Sequence, residues 1–249
     1  MKRQLVTLAT LHLVAVSLLL WLGYYWLGIG ETKTATLFWS LLVAVFILSF
    51  GSAVFGADLV YFRKMEDRSI SGALRTSGRN ILPLLIAALA IAVLYGLLQT
   101  WAAYSGRPAF QVASYLTLKL RIPVKPASVA RVFNTVLWLV RWMAIPAVLI
   151  PVVGEIASLG WSGFRAARMT KRKWIYWIAA TLVLVCTVKV PLLLVDWKPA
   201  VDGFGLEAVS FAVRAVAGWL LFGCGWIALA YLTSGGNPRL TQPRTAVSP

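Results

Sequence analysis

Six uninterrupted apolar blocks leave this chain few ways to fold. They cover residues 5–27, 36–61, 81–103, 132–164, 174–195 and 208–232. A core helix of a soluble protein carries an apolar stripe on one face and polar residues on the other. These blocks are apolar all round, and most match the roughly 17–25 residues that a bilayer demands of a spanning helix. Only helices and closed barrels satisfy their backbone groups in lipid, and the blocks lack the alternation of barrel strands. Composition agrees: 60% of the 249 residues are hydrophobic and 13% charged, against about 45–50% and about 25% in an ordinary soluble domain. The expected fold class is all-α, a polytopic transmembrane helix bundle of about six spans over residues 1–232. The tail, 233–249, is rich in Gly, Pro, Ser and Thr without an apolar period, a composition that predicts disorder.

The first block follows Met1-Lys2-Arg3, as a signal peptide would. Its apolar stretch is too long and no small-x-small cleavage site follows it, so it is expected to remain as the first span. Cations orient the chain. The amino terminus, the 62–80 loop, the 165–173 loop and the tail carry fourteen Lys and Arg, and the loops of the other side carry seven. The positive-inside rule then places both termini in the cytoplasm of a bacterial-type plasma (inner) membrane.

"RTSGRNILPLLIAAL" (75–89) aligns without gaps on "RMTKRKWIYWIAATL" (168–182), matching Arg75 with Arg168, Arg79 with Arg172, and Ala87 with Ala180. Spans two and three, and spans four and five, therefore read as two parallel copies of a helix hairpin, or as two basic loops followed by similar apolar helices. In the first loop, Ser69 or Ser71 can cap a short helix whose Arg75 and Arg79 share a face. Arg75, Arg79, Arg168, Lys171, Arg172 and Lys173 are candidate contacts for anionic lipid headgroups, at about 1 kcal/mol per cation near the surface. The alternative is a solvated loop.

Charges inside the blocks are the candidate site. Arg141 has two registers. If Arg165 marks the inner surface, a core of about 20 residues ends near Ile145, and Arg141 lies at the outer edge beside Trp138 and Trp142 with Pro146 as a kink. The other register puts Arg141 at the centre, at a cost of at least about 2.5–3.5 kcal/mol. Lys189 and Arg214 lie close enough to their outer span ends to snorkel; if all three cations converge, they form an anion-attracting vestibule. Glu155, counted from Arg165 at 1.5 Å per residue, is about 15 Å deep. Its candidate partners are Lys189, Arg214 or hydroxyls, and its role is either a coupling acid or an interhelical hydrogen bond. Asp58 reads as an end-cap charge. His12, the one histidine, is either a proton relay or a hydrogen-bonding group between helices.

No catalytic, metal or cofactor constellation is expected. Gly160-Trp161-Ser162-Gly163 matches the GxSG nucleophile motif of rhomboid proteases, but no histidine follows it to serve as base. Cys186 and Cys224 lack metal or redox spacing and read as packing residues. In "SYLTLKLRIPVK", apolar Leu116, Leu118, Leu120, Ile122 and Val124 alternate with polar or basic residues. That is strand periodicity, expected to lie flat on outer headgroups or to offer an edge to a partner.

The stretch "DLVYFRKMEDRSISGALRTSGRNILPLL" resembles the uncharacterised six-helix bacterial membrane proteins related to the membrane part of some glycerophosphodiesterases. The resemblance covers about a tenth of the chain. It implies six helices and assigns no substrate or site residue. The function expected is a non-catalytic membrane protein that organises lipid or a partner; the alternative is a small transporter or permease component for an anionic substrate. Expected partners are the lipid bilayer, anionic headgroups, and a membrane protein or a second copy of the chain, with no nucleic acid.

Overall fold

In a computed structural model the chain is described over residues 2–30, 32–63, 69–104, 106–166, 174–198 and 203–234. The expected disorder of the tail beyond 234, and Arg168, Lys171, Arg172 and Lys173, lie outside these residues, as does the second loop of the proposed repeat from 167 to 173. The described residues form eleven α-helices and no strand. In order they are α1 Lys2–Leu27, α2 Thr34–Arg63, α3 Ile70–Arg79, α4 Ile81–Tyr104, α5 Gly106–Leu120, α6 Pro126–Leu139, α7 Ile145–Leu159, α8 Gly163–Ala166, α9 Trp174–Leu184, α10 Val190–Asp196 and α11 Phe204–Ser234. Two π-helical turns, Val140–Ala144 and Val185–Lys189, join α6 to α7 and α9 to α10. Six helical stretches are long and apolar enough to cross a membrane, and they coincide with the six sequence blocks. The chain is a multi-pass helical membrane protein.

Consecutive spans run antiparallel. Trp26 donates to Ser40 and Trp39 to Tyr25 at one end of the α1–α2 pair, while His12 meets Asp58 toward the other. One end of the bundle thus carries α3, and the opposite end carries the α5–α6 hairpin. The core sits toward the α3 end. Residues 56–62 of α2 are buried without a break, whereas α4 buries only Pro83, Leu84 and Ala87, all in its first two turns. Outer positions such as Trp21, Phe38 and Leu97 are more than half exposed, as lipid-facing side chains are.

The short helix α3 forms where the sequence places it. Ser69 is its N-cap, with the Ser69 hydroxyl accepting from Gly72 N–H at 3.1 Å. Ala73 and Ser77, four apart, face inward, and Ser77 donates to the Ala53 carbonyl at 2.9 Å. Arg75 and Arg79 are exposed on the other side.

The alternating stretch at 115–125 is not a strand. Residues 106–120 are helical, and Ala109 and Ala113 pack against Val129 of α6. Small residues four apart make that contact, a stronger constraint than five alternating apolar residues with no second strand. The Thr117 hydroxyl receives Val124 N–H at 3.0 Å and closes the turn.

Pro146 and Pro151 each free a carbonyl, because a proline carries no N–H. Pro151 leaves the Ala147 carbonyl without its helical donor, and Tyr176 Oη donates to it at 2.7 Å. In the first π turn the Ile145 N–H bonds to Val140 O, so Pro146 leaves Arg141 O open; Tyr95 Oη donates there at 2.6 Å. The GxSG stretch also has a structural explanation. Gly160 ends α7 at φ +61°, a left-handed backbone that favours glycine, and a side chain there would meet Asn80 Oδ1 at 2.7 Å. The chain then folds back, bringing Gly163 so close that a Cβ would lie 2.6 Å from the Glu155 carbonyl carbon. Ser162 donates to the Leu159 carbonyl.

Tyr176→Phe removes the donor to Ala147 and should lower stability in detergent by about 0.6 kcal/mol and at most about 1.7, the range for hydrogen bonds between membrane helices. Thermal unfolding of the purified variant beside wild type checks this, and no loss would mean that another donor reaches the carbonyl.

Candidate functional site

The helix α2 organises the polar interior. Asp58 and Arg63 are five residues apart, which at 3.6 residues per turn separates them by about 140° around the axis. One points to α1 and the other to α7. Asp58 Oδ2 lies 2.6 Å from His12 Nδ1, with both side chains buried. A shared proton holds this pair together, whichever partner formally carries it. His12 Nε2 is buried without a hydrogen bond, and the imidazole lies 5.6 Å from the Phe55 ring. Phe55 packs edge-on against Trp226 at 4.7 Å. The Trp226 indole N–H is buried without a hydrogen-bond partner.

Arg63 grips Glu155 with both arms: Nη1 to Oε2 and Nη2 to Oε1, each at 3.0 Å. Nη2 also donates to the Pro151 carbonyl at 3.3 Å. A bidentate guanidinium–carboxylate pair is the strongest geometry available to these groups. The partner of Glu155 is therefore Arg63 rather than Lys189, Arg214 or a hydroxyl. Its depth also changes. The turn at Gly160 interrupts the helix, so counting straight up from Arg165 overstates how far Glu155 lies from the α3 end. Arg63, read in sequence as a loop cation, sits level with it.

The three outer cations do not meet at a shared partner. Arg214 is buried and donates through Nη1 to the carbonyls of Leu194 and Trp197, and through Nε to Ser210 O at 3.1 Å. Leu194 and Trp197 end α10, where carbonyls lack helical donors, so Arg214 is a helix C-cap contributed by a neighbouring span. Arg141 donates to Gln99 Oε1 at 2.7 Å and lies 5.4 Å from the Trp142 ring and 5.7 Å from the Tyr95 ring. Gln99 is about 27 Å along α4 from Ile81, against a hydrocarbon thickness of about 30 Å. The Arg141 guanidinium thus lies level with the last two turns of α4. Lys189 Nζ lies 5.4 Å over the Trp138 ring. Among the described residues, neither Arg141 nor Lys189 has a carboxylate within ion-pair distance.

Above the Phe55–Trp226 contact lies a cavity of about 440 Å³, lined by α1, α2, α4, α7 and α11. Val16, Leu19, Ile47, Gly51, Ala88 and Phe222 are among its walls, which are almost wholly apolar. Leu20 and Leu48 at its margin are also exposed on the outside of the bundle, at 58% and 41%, so the cavity communicates with the lipid-facing surface. Sequence reading missed it, because the hole arises from small residues on separate spans, Gly51 and Ala88, that only packing brings opposite. Among the described residues no cluster of His, Cys, Asp or Glu is arranged to hold a metal ion. No family model, no curated protein and no solved structure matches this chain.

Removing one member of the Arg63–Glu155 pair leaves a buried charge uncompensated, at about 3–5 kcal/mol. Glu155→Leu should therefore destabilise the protein strongly, and Arg63→Met with Glu155→Leu should recover much of the loss. A chemical-denaturation cycle of the two single variants and the double variant reports this, and additive losses would show that the pair is not coupled.

Proposed function

We propose that this chain is a non-catalytic, multi-pass protein of a bacterial-type plasma membrane that binds and organises lipid, with both termini cytoplasmic. The observation that carries this reading is the 440 Å³ apolar cavity at hydrocarbon depth, open to the lipid-facing surface. An apolar hole of about 150 Å³ stays dry and takes up apolar molecules. One three times larger, bordered by lipid, suits part of an acyl chain. The helix α3 adds a second contact. Its exposed Arg75 and Arg79 suit anionic headgroups, which attract cations at about 1 kcal/mol each.

The alternative, a small transporter for an anionic substrate coupled through Glu155, finds less support. Glu155 is held by two guanidinium contacts, and Arg214 is committed to the end of α10. A coupling acid has to release its partner during each cycle, and an attracting vestibule has to leave its cations available.

The test is lipid content. Protein purified in a maltoside detergent should retain phospholipid, measured by extraction and mass spectrometry. Gly51→Leu and Ala88→Phe, which fill the cavity from two walls, should lose most of it while eluting as the same folded species. Wild type free of lipid, or filled variants as lipid-rich as wild type, would remove the proposal. Arg75→Gln with Arg79→Gln should lower the anionic share of the retained lipid without changing its total.

A further inference from the structure

Two structural details coincide at the end of the bundle opposite α3. Both π turns in the described residues lie there, each followed by a β-branched residue and a proline: "VRWMAIP" at 140–146 and "VCTVKVP" at 185–191. A π turn inserts one residue into a helix and re-aims the side chains around it, which is why such turns recur at functional sites. Each of these turns carries one cation, Arg141 or Lys189. The two cations flank Trp138 and Trp142, which are one turn apart on the same span.

We propose that Arg141 and Lys189, with Asn134 and the Trp138 and Trp142 rings, form a binding site for a phosphate group. A cleft of about 160 Å³ opens between α4 and α6, walled by Asn134, Trp138, Arg141, Trp142 and Leu98. Arg141 spends one nitrogen on Gln99, and its Nε–H is buried without a partner. No described acid balances either cation. The cleft therefore offers the Arg141 guanidinium and a side-chain amide beside apolar aromatic walls, and Lys189, not itself one of its walls, lies over the Trp138 ring that borders it. A tetrahedral phosphate accepts from a guanidinium fork and an ammonium at once, while the tryptophan and leucine walls suit the carbon skeleton attached to it. The site's depth, near the end of the hydrocarbon, is where phosphate groups of phospholipids lie. A phospholipid headgroup and a soluble phosphate both present this chemistry. The site shares no wall with the 440 Å³ cavity, so it stands or falls separately from the lipid-retaining role proposed above.

Full-length protein in phosphate-free maltoside is titrated calorimetrically with dihexanoyl phosphatidylglycerol, with inorganic phosphate and with hexanoate. Saturable binding of the phosphatidylglycerol, weakened by about tenfold or more in Arg141→Gln as expected for loss of a charge-assisted hydrogen bond, supports a headgroup site. Equal or better binding of inorganic phosphate with the same dependence on Arg141 supports the same site with a soluble ligand. Lys189 is exposed, so Lys189→Gln should fold as wild type does and should also weaken binding. Hexanoate binding as tightly as either phosphate compound, binding of none of the three, or affinities unchanged in both variants would overturn the proposal.

Discussion

Hydrocarbon supplies no hydrogen bonds, so a polar group within these spans finds its partner inside the protein or, like His12 Nε2 and Trp226 Nε1, goes without one. Much of the side-chain chemistry follows from this. Prolines free two carbonyls, and two tyrosines from neighbouring helices donate to them. A helix ends before its last carbonyls are satisfied, and the Arg214 guanidinium of the next span reaches them. The two acids buried in the spans, Asp58 and Glu155, each face a basic group on another helix. In water such contacts would be minor contributors; in lipid the alternative for each group is no partner at all.

The same partners explain why packing is uneven. Four elements converge on the last three turns of α2: α1 through His12, α3 through Ser77, α7 through Glu155 and α11 through the ring contact of Tyr231 with Phe62. Toward the other end the spans bury less, and α4 buries nothing beyond Ala87. The large cavity lies at the boundary between the two regimes, where side chains as small as Gly51 and Ala88 leave space that neither helix fills.

How much of this is legible in the sequence depends on whether the signal is local. Unbroken apolar length specifies a span residue by residue, and all six appear. Ser69 followed by a short segment with Ala73 and Ser77 inward specifies a capped surface helix, and α3 forms. Alternation at 116–125 is local too, but it misleads, because in a helix the small residues Ala109 and Ala113 decide the contact with α6. Glu155 was legible as an unusual group, yet its partner was not. The count from Arg165 assumed a continuous helix, and Gly160 breaks it. His12 was legible as an interhelical group; Asp58 was passed over, because its short distance from Arg63 suggested an end charge. Pairings between distant spans depend on axial offset and rotation, which no single block encodes.

The His12–Asp58 contact has a consequence for biogenesis. Both members belong to the first two spans, joined by a short turn, whereas Arg63 waits for Glu155, ninety-two residues later in the chain. A polypeptide entering the bilayer from its amino terminus can therefore neutralise its deepest early acid as soon as the first hairpin closes. Arg63, at the very end of α2, can stay in the headgroup layer until the fourth span arrives. The order of synthesis and the order in which these two acids meet their basic partners therefore agree.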